Sequence, residues 1–136
     1  EQEGLLTVDY ELTLEGSTSL SATFAVESAF ALVPGPAEVF AVQVVEPSDA
    51  ARTGSPAESG SWREVRAVLL RSSLEETTIR MTLDPSGELW RFPVETVSQS
   101  EGGAELVYQG TVVAGAWQVE LEPSSALRRR VTFELL

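Results

Sequence analysis

The sequence predicts an all-β protein, a single-domain antiparallel β-sandwich of about eight or nine strands. Three observations carry that expectation. Apolar residues recur with a period of two in segment after segment, as in Leu6, Val8, Tyr10, Leu12 and Leu14. Clusters of Gly, Pro, Ser and Asp separate those segments at short intervals. A chain of 136 residues, 43% hydrophobic and 22% charged, is one domain by its size and buries roughly 68% of its unfolded surface, so it forms a core without staples.

The first alternating run, Leu6 to Leu14, reads as a half-buried strand. Glu15-Gly16-Ser17-Thr18-Ser19 is a turn cluster, and Leu20 to Val26 resumes with Ala22, Phe24 and Val26 on one face. The pair is expected to form a hairpin. Pro34-Gly35-Pro36 breaks the chain, and Val39 to Val45 has the β-branched composition of a strand covered on both faces. From about 48 to 61 periodicity disappears among Ser, Ala, Gly, Pro and single charges. This stretch is expected to be a solvated, mobile loop.

Residues 62–74 fit two patterns. Ser61 with Glu64 resembles a helix-capping box, whereas Val65, Ala67 and Leu69 alternate as in a strand. The all-β surroundings favour a strand from about Glu64 to Arg71. Ile79, Met81 and Leu83 alternate next. Asp84-Pro85-Ser86-Gly87 has the residues of a type I turn, so Glu88 to Val97 is expected to return as the hairpin partner. Pro93 places that strand at an edge or a bulge. Gly102-Gly103 starts a strand from Ala104 to Val113, which Gly115 is expected to end. Ala116 to Leu121 follows with Trp117, Val119 and Leu121 inward. Glu122-Pro123-Ser124-Ser125 turns into the last strand, with Val131, Phe133 and Leu135 in phase. A glycine, a tryptophan-led strand, a polar turn and a final alternating strand is how many immunoglobulin-like and fibronectin-like sandwiches finish. The expectation is therefore immunoglobulin/fibronectin-like in general architecture, without the cysteine pair of the disulfide-bonded form.

Missing residue types restrict the chemistry. His, Cys, Lys and Asn do not occur, and all nine cations are arginines against 21 acids, a formal charge of −12. No histidine base, cysteine nucleophile, disulfide, Schiff-base lysine or P-loop can be built, and transition metals lose their usual ligands. The charge disfavours nucleic acid and anionic membranes, and no apolar run is long enough for a membrane-spanning helix. Asp84-Pro85-Ser86-Gly87-Glu88 lacks the calcium-loop pattern. No catalytic residue, metal or cofactor is expected.

A few positions remain as candidates for interaction. Trp62 borders the polar stretch and is the best candidate for an exposed aromatic. Of Trp90 and Phe92, one is expected to point outward. Arg128, Arg129 and Arg130 hold a third of the cations. They could contact an acidic partner, but read better as charges that protect the strand Val131 to Leu135 from edge pairing. Glu75, Glu76, Glu101, Glu105, Glu120 and Glu122 read as solvated carboxylates.

The expectation is a non-catalytic, exported or cell-envelope module, secreted, periplasmic or on the cell surface. It would act through protein–protein contacts or self-association, as a structural or assembling subunit. Residues 1 to 14 or 131 to 136 would then add a strand to a neighbour. A carbohydrate- or small-ligand-binding module using Trp62 or Trp90 is the alternative, and a carboxylate-dependent hydrolase comes third.

Overall fold

Among the described residues eight strands follow one another, and a single long one decides how they are layered. In the computed structural model, which describes residues 4–32 and 39–136, the strands are β1 (Leu5–Thr13), β2 (Leu20–Phe30), β3 (Phe40–Val45), β4 (Ala51–Gly54), β5 (Gly60–Ser72), β6 (Thr77–Ser100), β7 (Gly103–Leu121) and β8 (Ala126–Leu135). All named strand pairs are antiparallel. The Pro34-Gly35-Pro36 break lies outside the described residues.

β6 belongs to two layers in turn. Its first part pairs with β8 from Ile79↔Leu135 to Asp84↔Arg130. Its second part pairs with β7 from Glu88↔Ala116 onward. Between them Pro85, Ser86 and Gly87 carry the strand from one partner to the other, and the β5 register jumps from Ala67↔Thr82 to Val65↔Gly87. Strands that change sheets do so through such bulges. One layer is thus β1-β8-β6-β5-β3-β4, and the other is β2-β7 joined to the second half of β6. The residues read as a hairpin turn do bend the chain, yet they pass it between sheets without reversing it.

Three further expectations change. β1 and β2 form no hairpin. β1 lies on β8 and β2 on β7, so residues 14–19 cross from one layer to the other. Gly115 sits inside continuous β7 rather than ending a strand, because a methyl group there would lie 2.6 Å from Leu83 Cδ2. The stretch 48–61 contains β4, which pairs with β3, and the first residues of β5. Asp49 turns the chain with φ of 62°, Arg66 bonds its carboxylate, and Pro56 is fully buried. Residues 62–72 are strand, as the all-β context predicts. Pro93 lies beyond the last β5 partner, Gly60↔Arg91, with a register shift after Val94, in keeping with its missing amide.

The core fills the space between the layers with Val42, Val44, Val65, Val68, Leu70, Met81, Leu83, Leu89, Val113, Trp117 and Val131. Aromatic pairs join the layers, Tyr10 with Phe24 at 5.4 Å and Phe30 with Phe133 at 6.4 Å between centroids. Such contacts add about 0.5–1.5 kcal/mol beyond area burial.

Candidate functional site

The crossing of β6 leaves a cleft at the seam of the two layers. Its volume is about 590 Å³, within the range of small-ligand sites. Arg63 and Glu64 come from β5, Ser86 and Glu88 from β6, Gln118 from β7 and Arg129 from β8, with Ala116 and Trp117 beneath them. The floor is fixed by backbone as well as packing. Trp117 donates its indole N–H to the Pro85 carbonyl at 2.8 Å and stacks on Phe24 at 6.1 Å. Trp117 is buried, as its phase predicts.

Arg129 forms one wall. Its guanidinium lies 5.9 Å from the Trp117 ring, a cation–π geometry, and donates to the Arg128 carbonyl at 2.7 Å. Its Nε is buried without a protein partner among the described residues. Gln118 accepts from Thr23 Oγ1 at 3.1 Å, a bond that does not use its amide N–H groups. Glu88 accepts the Trp90 indole N–H at 2.8 Å. Planar amide, carboxylate and guanidinium groups around a partly apolar floor give the cleft both hydrogen-bond donors and acceptors.

The candidate residues separate. Leu89 and Arg91 point inward, so Trp90 and Phe92 both lie on the outer face of the second layer, where one alone is expected. Trp62 pairs with Leu89 and turns to the inner side, half-buried, with the Arg91 guanidinium 5.4 Å from its ring. It lines a second cleft of about 430 Å³ with Glu46, Arg52, Ser61, Arg63 and Glu64. Arg91 is only 4% exposed. It donates to Glu58 at 3.4 Å, and its Nε and Nη1 have no partner among the described residues. Burial lowers its pKa, opposed by the Glu58 carboxylate.

The arginine triplet is an interstrand ladder. The register sets Asp9 opposite Arg130 and Glu11 opposite Arg128, while Arg129 turns to the seam. Arg130 donates to Asp9 at 2.6 and 3.2 Å, and Arg128 to Glu11 at 3.0 and 2.9 Å. From Arg130 to Glu134 β8 is held between β1 and β6, so that stretch offers no edge for strand addition. The Arg130 hydrogen bond holds the Asp9 carboxyl below its ordinary value. A carboxylate with a depressed folded pKa stabilises above its unfolded value and ceases to do so as pH falls through the folded one. Asp9→Asn is accordingly expected to flatten the loss of stability below about pH 4, measured as urea midpoint against pH, with Glu11→Gln as comparison. An unchanged acid limb would show that this pair contributes nothing to it.

Glu75, Glu76, Glu101, Glu105, Glu120 and Glu122 are all exposed. Among the described residues no three acids cluster as a metal site. The residues that sequence reasoning missed, Arg63, Glu64, Glu88 and Gln118, each read as ordinary polar positions of a strand or turn. Only the sheet crossing brings them together.

Residues 1–131 match the alpha-amylase/4-alpha-glucanotransferase C-terminal family. The chain belongs to that family. The amylase-type domain shares 40% identity over 55 residues with alpha-amylase 1 of Dictyoglomus thermophilum and 35% over 52 residues with a 4-alpha-glucanotransferase of Thermococcus litoralis. Those segments span 40% and 38% of this chain but 8% of each relative. The solved T. litoralis 4-alpha-glucanotransferase superposes with a TM-score of 0.62 at 22% identity, over 94% of this chain and 16% of that one. A putative aldose 1-epimerase of Escherichia coli K12 superposes with 0.65 at 10% identity, over 97% of this chain and 56% of that one. These two likenesses are of fold. The family overturns the expectation of an assembling or structural subunit that works through protein contacts. The family takes its description from alpha-amylases and 4-alpha-glucanotransferases, which favours the alternative reading.

Proposed function

We propose that this chain is the non-catalytic, glucan-binding C-terminal module of an enzyme acting on α-linked glucose polymers, and that it holds its ligand at the seam cleft. The observation that carries the reading is the convergence of Arg63, Glu64, Glu88, Gln118 and Arg129 on one cleft floored by Trp117. Each of these side chains offers planar donors or acceptors suited to adjacent hydroxyls. The family and the names of its relatives supply the glucan class.

A catalytic role for the module itself finds little support. The chain has no His, Cys or Lys. Of the two acids at the cleft, Glu64 is exposed and Glu88 is engaged by the Trp90 N–H. Neither has the apolar enclosure that prepares a carboxyl as a general acid.

Calorimetric titration of the chain with maltoheptaose tests the reading. Saturable binding is expected, and Gln118→Ala should weaken it about two- to twelvefold, the loss of one net hydrogen bond. Absence of binding by the parent chain would refute the module's role.

A further inference from the structure

The outer row of β6 continues from the seam cleft as Glu88, Trp90, Phe92 and Val94, because Leu89 and Arg91 take the inner face. Alternate residues on a strand lie about 6.6–7 Å apart, so the row from Glu88 to Phe92 runs about 13–14 Å. Trp90 has small neighbours on both adjoining strands, Ser61 on β5 and Ala114 on β7. Among the described residues nothing bulky in its own row covers the half-buried indole, and its N–H bond to Glu88 fixes the ring beside the cleft. Phe92 follows, 40% exposed, next to buried Val112. Across β7 the row ends in exposed Glu27, opposite Ala114.

We infer that Trp90 and Phe92 form a stacking track on which a glucan chain continues out of the seam cleft. The inference rests on the cleft being a glucan site and adds its direction, its second contact and a requirement for ligand length. A pyranose ring has an apolar C–H face and a hydroxyl-bearing edge. The indole and phenyl rings meet the face, while Glu88 and Glu27 flank the track as acceptors for hydroxyls. Arg63 and Arg129 balance Glu64 and Glu88 at the cleft, while the charges that flank the track, Glu88 and Glu27, are both acidic, so an anionic occupant is repelled from the track and a neutral one is not. Continuity with the cleft through Glu88, which serves both, favours one extended ligand over a separate partner on this face.

The test is the chain-length dependence of affinity for the full chain, from maltose through maltotriose to maltoheptaose. Parent affinity should rise with length. Trp90→Ala should reduce maltoheptaose affinity about two- to twelvefold while leaving maltose nearly unchanged, the contribution of one aromatic contact. Trp90→Phe should retain most of the binding, which separates loss of stacking from loss of fold, and the urea midpoint of each variant checks the latter. Phe92→Ala should affect only the longest ligands. Maltoheptaose bound equally by the parent and Trp90→Ala would overturn the track and leave the cleft reading standing. No saccharide bound by the parent at all would remove both.

Discussion

Leu89→Ala is expected to lower the free energy of unfolding by about 2–5 kcal/mol, seen as a reduced urea midpoint with little change in slope. Leu89 is 0% exposed and belongs to the core that both layers share. It stands on β6 just beyond the crossing, opposite Trp62 on one side and Gly115 on the other. A glycine neighbour has no side chain to move into the vacated space, so the cavity should persist and the cost should lie in the upper part of that range. A domain with roughly 5–15 kcal/mol to lose would approach its limit. Val97→Ala on the same strand is the control. Val97 is 68% exposed on the outlying part of the β6–β7 ribbon, so its truncation should change stability by about 0.5 kcal/mol or less. Equal effects at the two positions would mean that the layers do not pack as described.

Gly110→Ala should destabilise by about 1–3 kcal/mol through overpacking. The added methyl group would stand 2.5 Å from the Phe30 carbonyl oxygen and 3.3 Å from its carbon, and backbone cannot rotate away as a side chain can. The steric term has to overcome a favourable one, since replacing glycine by alanine restrains the unfolded chain by about 0.4–1 kcal/mol. Gly102→Ala isolates that smaller term. Its methyl group meets nothing closer than the Ser100 hydroxyl oxygen at 3.8 Å, so this variant should gain the 0.4–1 kcal/mol. Both are read from urea melts. Two stabilising substitutions would show that β2 and β7 can part at Gly110 without cost.

Local pattern reveals a strand more readily than it reveals that strand's partner. The alternation of Leu6 to Leu14 and of Leu20 to Val26 is real in the structure, as is the covered character of β3. The hairpin between the first two is not, because the hydrogen-bonding partners of β1 and β2 lie more than eighty residues away, at β8 and β7. Turn chemistry misleads at Asp84-Pro85-Ser86-Gly87 for a related reason. Residues that favour a bend allow either a reversal or a bulge, and pairing with β8 before the bend and β7 after it selects the bulge. Gly115 looks like a strand end when its role is to admit Leu83. The site inherits these errors. Trp90 was visible as one of two aromatics of which one was expected to face outward, but Glu88, Gln118 and Arg129 sit on three strands and carry no spacing that links them.

The amino-acid sequence alone determined the fold class, the location of most strands, the burial of Trp117 and the chemistries that the absence of His, Cys and Lys removes. Those follow from side-chain type and a period of two, which are properties of neighbours along the chain. Strand order, the passage of β6 between layers and the pairing of Arg128 and Arg130 with Glu11 and Asp9 were decided by the tertiary structure. So was the cleft at the seam. They depend on which distant strands can bury their apolar faces together, and that competition among long-range pairings leaves no local trace.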